Sequence, residues 1–231
     1  MGVFLNIDHL LQTIRGVMST VGLQIPAQRA MKLIVNNCAH KELEPPSVWI
    51  KRWAHLVKPN GTVLDVASGL GRHAYYFHQL GHPVTVLDRA RADIESITID
   101  VRVCEKVVAD IENDVWPLAG RNFDAVVVTN YLWRPLMPTL LASLAVCGVL
   151  MYETFAAGNE TVGRPSRPDF LLQPGELLEI CKDLRIVAFE DGFICGDGGS
   201  PRFVQRIVAV QKTLLEQTPA RYRLVQPHLS D

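Results

Sequence analysis

The stretch VLDVASGLGRHAYYFHQLGHPVTVLDRA, residues 63–90, has the order strand, glycine turn, helix, strand and acidic residue. An apolar strand runs into Asp65, and Gly69 and Gly71 then allow the backbone to turn tightly enough for a ligand to lie against it. A second strand follows the helix and ends on Asp88, whose carboxylate is placed to accept hydrogen bonds from both hydroxyls of a ribose. This layout is typical of a nucleotide-binding βαβ unit.

Two classes of cofactor fit this unit. The run Gly69–Ala74 matches the G-x-G-x-x-G/A form of a dinucleotide site, and Asp88 lies close to the distance expected for its ribose-binding acid. In a dinucleotide site the first glycine usually follows the strand directly, whereas here an acidic residue ends the strand and two residues intervene. A carboxylate at Asp65 would repel a pyrophosphate and would suit a cofactor with a positive amino group or sulfonium.

The motif DVASGLG, residues 65–71, resembles the D-x-G-x-G-x-G first motif of class I methyltransferases that use S-adenosylmethionine. Ala67 stands where those enzymes most often have the first glycine. The resemblance covers residues 46–212 and implies a Rossmann-like α/β fold, with a doubly wound, mostly parallel sheet of seven strands that ends in an antiparallel C-terminal hairpin. YETFAAGNE at 152–160 and GRPSRPDFLLQPGELLEI at 163–180 look like the bacterial subgroup labelled tellurite-resistance-like, a label that does not make tellurite the substrate.

Later strands also end in polar residues. The sequence predicts a third strand at Lys106–Ala109, before Asp110, and a fourth at Phe123–Thr129, before Asn130. Ligands of open α/β sheets collect at the carboxyl ends of successive strands. The resemblance therefore implies an S-adenosylmethionine site made of Asp65, Ala67, Gly69, Gly71 and Asp88, with Asp110 and Ile111 at the adenine and Asn130 and Tyr131 at the methionine end.

The last third of the chain predicts a change of strand direction. An apolar helix is predicted at Met137–Ala145, and a strand entered through a glycine turn at Cys147–Glu153. Arg185–Phe189 and Arg202–Val210 also have strand composition, but only the glycine-rich loop Gly192–Gly199 separates them. Because parallel neighbours need a crossover of about a dozen residues, these two strands are predicted to pair antiparallel. Dinucleotide domains usually continue parallel, so the hairpin favours the methyltransferase.

Composition narrows the class of protein. A chain of 231 residues, 48% of them hydrophobic, suits one α/β domain with an appendage. The formal net charge of −1 argues against a nucleic-acid partner. Five cysteines without a C-x-x-C pair and seven histidines without ligand spacing predict reduced thiols and no metal site. No signal peptide and no run of ~20 apolar residues is present, so we expect a cytoplasmic protein without membrane attachment.

Residues 1–45 are predicted to form a helical N-terminal extension, and residues 213–231 a C-terminal tail. One face of the first helix is apolar, with Ile7, Leu10, Leu11, Ile14, Val17, Met18 and Val21. We expect it to cover the active-site end or to form a homodimer contact; a third possibility is that translation starts at Met31. Ser47 is the predicted cap of a helix at Val48–Leu56, which opens the main domain.

Methyl transfer from a sulfonium is a direct displacement, so the protein mainly holds the nucleophile, the methyl carbon and the sulfur in line and excludes water. A general base is needed only if the acceptor loses a proton, and the candidates are Tyr131, Tyr152, Glu153 and His73. For His73 the alternatives are an exposed residue of the first helical turn or a contact to the cofactor carboxylate. For Glu153 they are a substrate contact or a structural hydrogen bond.

Substrate choice is expected to lie in the Phe155–Leu171 loop, which is too long and too rich in glycine and proline to be a simple connection. Arg164 and Arg167 could clamp an anionic substrate; the alternative is a solvated charged loop.

These features predict a methyltransferase that acts on a small molecule with S-adenosylmethionine as cofactor. One alternative is a non-catalytic protein that binds S-adenosylmethionine for regulation or scaffolding. The other is an NAD-dependent oxidoreductase, which would have a sheet that continues parallel.

Overall fold

The computed structural model describes residues 43–196, 199–212 and 221–224. The predicted N-terminal helix, and any dimer contact it makes, lie outside these residues, as does most of the predicted tail. In the part of the chain that is described, no helix is long and apolar enough to cross a membrane.

Strands and helices alternate along most of the described chain, except that no helix separates the third strand from the fourth or the sixth from the seventh. Its α-helices are α1 Val48–Trp53, α2 Arg72–Gln79, α3 Arg91–Ser96, α4 Met137–Ala142 and α5 Glu176–Ile180. Its strands are β1 Val63–Val66, β2 Val84–Asp88, β3 Cys104–Val108, β4 Phe123–Thr129, β5 Leu144–Phe155, β6 Arg185–Gly196 and β7 Gly199–Val210. Short 3-10 turns follow α1, precede α4 and interrupt the loop after β5.

All seven strands form one sheet in the order β3-β2-β1-β4-β5-β7-β6. Strands β1 to β5 pair in parallel. Strand β7 lies between β5 and β6 and is antiparallel to both. The predicted fold class and the predicted antiparallel hairpin are therefore confirmed, and the continued parallel sheet of the oxidoreductase alternative is not found.

The sheet is covered on both faces, which explains why its strands are nearly continuous apolar runs. In β4, Val126 and Val128 face one core, where α4 and α5 pack. Ala125 and Val127 face the other core, where α1, α2 and α3 pack. Polar residues are thereby displaced to the strand ends, which is where a ligand can reach them.

The boundary between α4 and β5 differs from the prediction. The helix ends at Ala142 instead of Ala145 because Leu144 already pairs with Phe123 of the neighbouring strand. The glycine turn predicted to lead into the strand lies inside β5, at a bulge. A Cβ on Gly148 would lie 2.8 Å from the carbonyl oxygens of Ala145 and Phe123, so close backbone approach requires glycine here.

The C-terminal hairpin is longer than predicted. Strand β6 continues to Gly196 and β7 starts at Gly199, so most of the predicted Gly192–Gly199 loop is strand. Phe193 pairs with Phe203 across the two strands, with ring centroids 4.8 Å apart. This aromatic pair stabilises the extra length of the ladder.

Candidate functional site

The turn between β1 and α2 has three residues in the left-handed region of backbone conformation. They are Ala67 (φ 52°), Gly69 (φ 53°) and Gly71 (φ 77°). A Cβ on Gly71 would lie 2.7 Å from the Cδ1 atom of Ile97, so this glycine is also needed for packing. Ala67 adopts its conformation at a cost of about 1–2 kcal/mol, which explains why a glycine is the usual residue at this position of the motif.

Asp88 is held by the same turn. Its Oδ2 atom accepts a hydrogen bond of 2.8 Å from the backbone N–H of Gly69, and its Oδ1 atom accepts one of 2.8 Å from that of Ala90. Each carboxylate oxygen can accept a second hydrogen bond. The carboxylate is thus oriented at the carboxyl end of β2 and retains capacity for a ligand.

A first cavity of about 360 Å³ opens at the carboxyl edge of the sheet. Six of the nine residues predicted for the cofactor line it, namely Ala67, Asp88, Asp110, Ile111, Asn130 and Tyr131. Pro165 and Phe170, from the Phe155–Leu171 loop, contribute apolar surface on another side. The other three predicted residues, Asp65, Gly69 and Gly71, do not line the cavity; the two glycines shape the turn.

Asp65 is 1% exposed, and its Oδ2 atom has no hydrogen-bond partner in the part of the chain that the structure describes. Burial raises the pKa of its carboxyl to about 7, although the nearby Arg72 guanidinium opposes this shift. A buried acceptor without a partner is costly unless something supplies a donor or a positive charge. This makes Asp65 suited to a cationic group bound near Ala67.

His73 is not the exposed residue that one alternative expected. It is 1% exposed, and its Nε2 atom accepts a hydrogen bond of 3.2 Å from the backbone N–H of Ser47. Its Nδ1 atom lies 3.9 Å from the Oδ1 atom of Asp65. Burial, followed by the charge of Arg72, lowers the pKa of His73 to about 3, so the ring is neutral. It lines neither this cavity nor the adjacent cavity that contains Glu153 and Arg164, so the general-base hypothesis for His73 is not supported.

Two residues that line the first cavity, Asp110 and Tyr131, differ in their hydrogen bonding. Asp110 accepts hydrogen bonds from the backbone N–H of Glu112 at 3.1 Å and from the side chain of Asn113 at 3.0 Å. The bond from Asn113 is the main reason that the pKa of Asp110 is lowered. The hydroxyl of Tyr131 is buried without a hydrogen-bond partner in the described ranges. Burial, reinforced by the charge of Glu112, raises the pKa of Tyr131, so the hydroxyl stays protonated at neutral pH and is a poor base.

A second cavity of about 420 Å³ lies next to the first, and Asn130 and Phe155 line both. Its charged lining residues are Glu44, Arg72, Glu153, Arg164 and Arg202. The two cavities together form a site with two chambers and one common wall.

Glu153 is 3% exposed, and both of its carboxylate oxygens have partners. Its Oε1 atom accepts a hydrogen bond of 3.0 Å from the Ser47 hydroxyl, and its Oε2 atom pairs with Arg206 at 3.1 Å. The Ser47 hydroxyl also accepts a hydrogen bond of 3.1 Å from the backbone N–H of Trp49, which confirms the predicted helix cap. Glu153 therefore makes the structural hydrogen bonds of one alternative, while it also lines the second cavity.

The two arginines predicted to clamp a substrate have different surroundings. Arg164 lines the second cavity. Arg167 is exposed, pairs with Asp169 at 2.8 Å and lies over the ring of Phe170. It lines neither cavity, and its charge is paired within its own loop turn, as the alternative of a solvated charged loop expects.

Arg72 was missed by the sequence analysis. It is the first residue of α2, directly after Gly71, and it pairs with Glu44 at 2.8 Å. Its other terminal nitrogen lies 3.4 Å from the hydroxyl of Thr129, at the end of β4. A cation that immediately follows the glycine turn is the signal that could have identified it, because such a residue starts the helix that faces the ligand edge.

No protein-family model and no curated protein matched the chain. Among solved structures, 793 chains match. They include TehB from Haemophilus influenzae, with 21% identity and a TM-score of 0.57 over 69% of this chain and 60% of that one. This chain thus spans less than two thirds of the length of TehB.

Two further solved structures are similar over most of their own length. A SAM-dependent methyltransferase from Methanosarcina mazei has 13% identity and a TM-score of 0.57, over 73% of this chain and 99% of that one. A SAM-dependent methyltransferase from Aquifex aeolicus has 17% identity and a TM-score of 0.50, over 68% of this chain and 86% of that one. These similarities show that the chain has the class I methyltransferase fold that the sequence predicted.

Proposed function

We propose that the chain is an S-adenosylmethionine-dependent methyltransferase that acts on a small-molecule acceptor. The observation that carries this proposal is the pair of cavities with Asn130 and Phe155 in their common wall. A transfer between two bound molecules requires that they lie side by side. Because two residues line both cavities, ligands in the two cavities would be neighbours. The likeness in fold to SAM-dependent methyltransferases supports the same conclusion.

The residues of the first cavity fit the cofactor. Asp88 is oriented to accept hydrogen bonds from ribose hydroxyls, and the unpartnered Asp65 carboxylate, which lies outside the lining but two residues before Ala67, favours a positive charge nearby. Ile111, Pro165 and Phe170 offer apolar surface for a purine ring. When bound, S-adenosylmethionine supplies a methyl group activated by the positive charge on its sulfur.

In such a reaction the chain would position the reactants and exclude water. Asn130 and Phe155 lie where acceptor and donor would meet, and the loop that contains Pro165 and Phe170 covers one side of the donor chamber. The residues that line both cavities would hold the acceptor beside the methyl group of the donor, and the covered donor chamber would exclude water. The protonated Tyr131 is a poor base, and the Glu153 carboxylate is held by Ser47 and Arg206, so we propose that positioning supplies most of the catalysis.

Calorimetry tests the cofactor assignment. We expect micromolar binding of S-adenosylmethionine and S-adenosylhomocysteine, and no binding of NADH. Asp88→Ala should weaken binding about tenfold or more, because the loss of a ribose contact of ~1.4 kcal/mol has this effect. The matched control is Asp100→Ala, since Asp100 is exposed and its side chain pairs with Arg102, two residues away.

Each result has a distinct meaning. Binding of NADH alone would contradict the methyltransferase proposal. Cofactor binding without methyl transfer to any acceptor would favour the non-catalytic binding protein. An Asp88→Ala variant with unchanged affinity would show that the cofactor lies elsewhere.

A further inference from the structure

The second cavity has two positive charges that nothing in the described structure balances. Arg72 pairs with Glu44 at 2.8 Å, and Glu153 pairs with Arg206 at 3.1 Å. Of the remaining charged lining residues, Arg164 and Arg202 have no ion pair or hydrogen bond from the side chain within the described ranges. Two uncompensated guanidinium groups in a concave wall attract and orient anions.

Asn159 ties together the two chain segments that carry these arginines. It is 1% exposed, and its Nδ2 atom donates a hydrogen bond of 2.9 Å to the carbonyl oxygen of Pro165, next to Arg164. Its Oδ1 atom accepts one of 3.2 Å from the backbone N–H of Phe203, next to Arg202. A single buried amide thus fixes the backbone beside both arginines, so the two side chains extend from positions that are held relative to each other.

The loop is docked on β7 by further contacts at the same place. The backbone N–H of Ala156 donates a hydrogen bond of 3.0 Å to the carbonyl oxygen of Phe203. Gly158 has a φ of 102°, and a Cβ there would lie 2.9 Å from the ring of Phe203. The loop therefore approaches the strand so closely that its position, and that of Arg164, is determined by β7.

We infer that the second cavity binds an organic anion, whose carboxylate or phosphate group lies between Arg164 and Arg202. The inference rests on the proposed function, because it takes this cavity as the acceptor chamber. At about 420 Å³ the cavity lies in the usual range for small organic ligands, about 300–1,000 Å³. An inorganic oxyanion of a few atoms would leave most of this space unfilled.

The test uses the full chain with S-adenosylmethionine labelled with tritium on the methyl group. The acceptor probe is the small-molecule fraction of a deproteinised bacterial extract, separated on an anion exchanger into a retained and an unretained pool. We expect labelled product from the retained pool. With that pool, Arg164→Ala and Arg202→Ala should each lower the initial rate about tenfold or more, because each loses a charge-assisted hydrogen bond.

Arg167→Ala is the matched control, since Arg167 belongs to the same loop but lines neither cavity; its rate should be unchanged. Arg202 is partly buried, so thermal unfolding should be measured for each variant. Arg202→Lys keeps the charge but not the planar fork of donors, and it should restore part of the rate.

Labelled product from the unretained pool alone would overturn the inference. So would Arg164→Ala and Arg202→Ala variants that are as active as Arg167→Ala. Methyl transfer to sodium tellurite but not to the retained pool would also overturn it, in favour of an inorganic acceptor. Cofactor binding by calorimetry separates these results from a failure of the proposed function. If S-adenosylmethionine does not bind, or binds and labels nothing, the methyltransferase proposal fails and the inference fails with it.

Discussion

Asp65 and His73 are a buried acid and a buried base whose pKa values move in opposite directions. The pKa of Asp65 rises to about 7 and that of His73 falls to about 3. In the unfolded chain, where the values are about 3.9 and 6.5, the acid is charged and the base is protonated between these limits. In that window the two states bind equal numbers of protons at this pair, because folding moves one proton from the histidine to the acid. The two pH dependences therefore cancel in the wild type.

In the Asp65→Asn variant, the contribution of His73 to the pH dependence of stability should no longer be cancelled. A raised acid pKa stabilises the fold at low pH, and this stabilisation is lost as the pH rises from about 4 to about 7. The variant lacks that loss, so its free energy of unfolding should improve relative to wild type across this window. Urea unfolding without cofactor, at several pH values, measures the difference. Asp100→Asn, at an exposed aspartate, is the control, and a pH-independent difference for Asp65→Asn would refute the assignment.

At the residue scale, the sequence predicted the residues that line the first cavity better than it predicted burial and side-chain pairing. Asp88 and Asn130 were predicted from their places at strand ends, and both line the first cavity. The burial of His73 was not predicted, because it depends on the backbone of Ser47, which is distant in sequence. The pairing of Arg167 with Asp169 was not predicted either, since an irregular loop has no regular spacing that indicates which side chains meet.

At the scale of elements, the loop after β5 depends on a glycine that packs against an aromatic ring. Gly158→Ala places a methyl group 2.9 Å from the ring of Phe203 and also requires a positive φ. Gly175 has a positive φ as well, but its Cβ position has no atom within 4 Å, so Gly175→Ala isolates the cost of the backbone conformation.

We expect Gly175→Ala to cost about 1–2 kcal/mol, and Gly158→Ala at least about 1 kcal/mol more because of the steric clash. Urea unfolding of both variants gives the comparison. In a Phe203→Ala background the part of the extra cost that comes from the clash with the ring should disappear, as a double-mutant cycle would show. Equal costs in the wild-type background would mean that the loop moves away from β7 easily.

Strand β4 was predicted with its observed bounds, since a continuous apolar run ends abruptly at Asn130. The end of α4 was missed because tertiary pairing decides it: Leu144 fits an apolar helix equally well, but it pairs with Phe123. The length of the hairpin was missed for the same reason. Glycines predict a loop, whereas the cross-strand contact of Phe193 and Phe203 extends the strands.

At the scale of the molecule, two cores share one sheet, so they should unfold together. Trp49 and Trp53 belong to one core, and Trp116 and Trp133 pack against the other. Variants that retain tryptophan in only one core, with phenylalanine in the other, report on each core separately. In both variants the fluorescence and far-ultraviolet circular dichroism transitions in urea should coincide. A fluorescence transition that precedes the dichroism in one variant would mean that its core melts first.

The directions of the strands in the sheet follow from features that can be seen in the sequence. Alternating strands and helices predict parallel pairing, and the short connection between β6 and β7 predicts the antiparallel hairpin. The second cavity could not be predicted in this way. Glu44, Arg164 and Arg202 come from distant parts of the chain, and no local pattern in the sequence brings them together.

Arg164 and Pro165 are joined by one peptide group, yet Arg164 lines the second cavity and Pro165 the first. A ligand against Pro165 and a ligand beside Arg164 would therefore contact consecutive residues of one chain segment. Thermodynamic reciprocity requires that each ligand changes the affinity of the other by the same factor. Any coupling between the proposed donor and the proposed acceptor would then act through two consecutive residues.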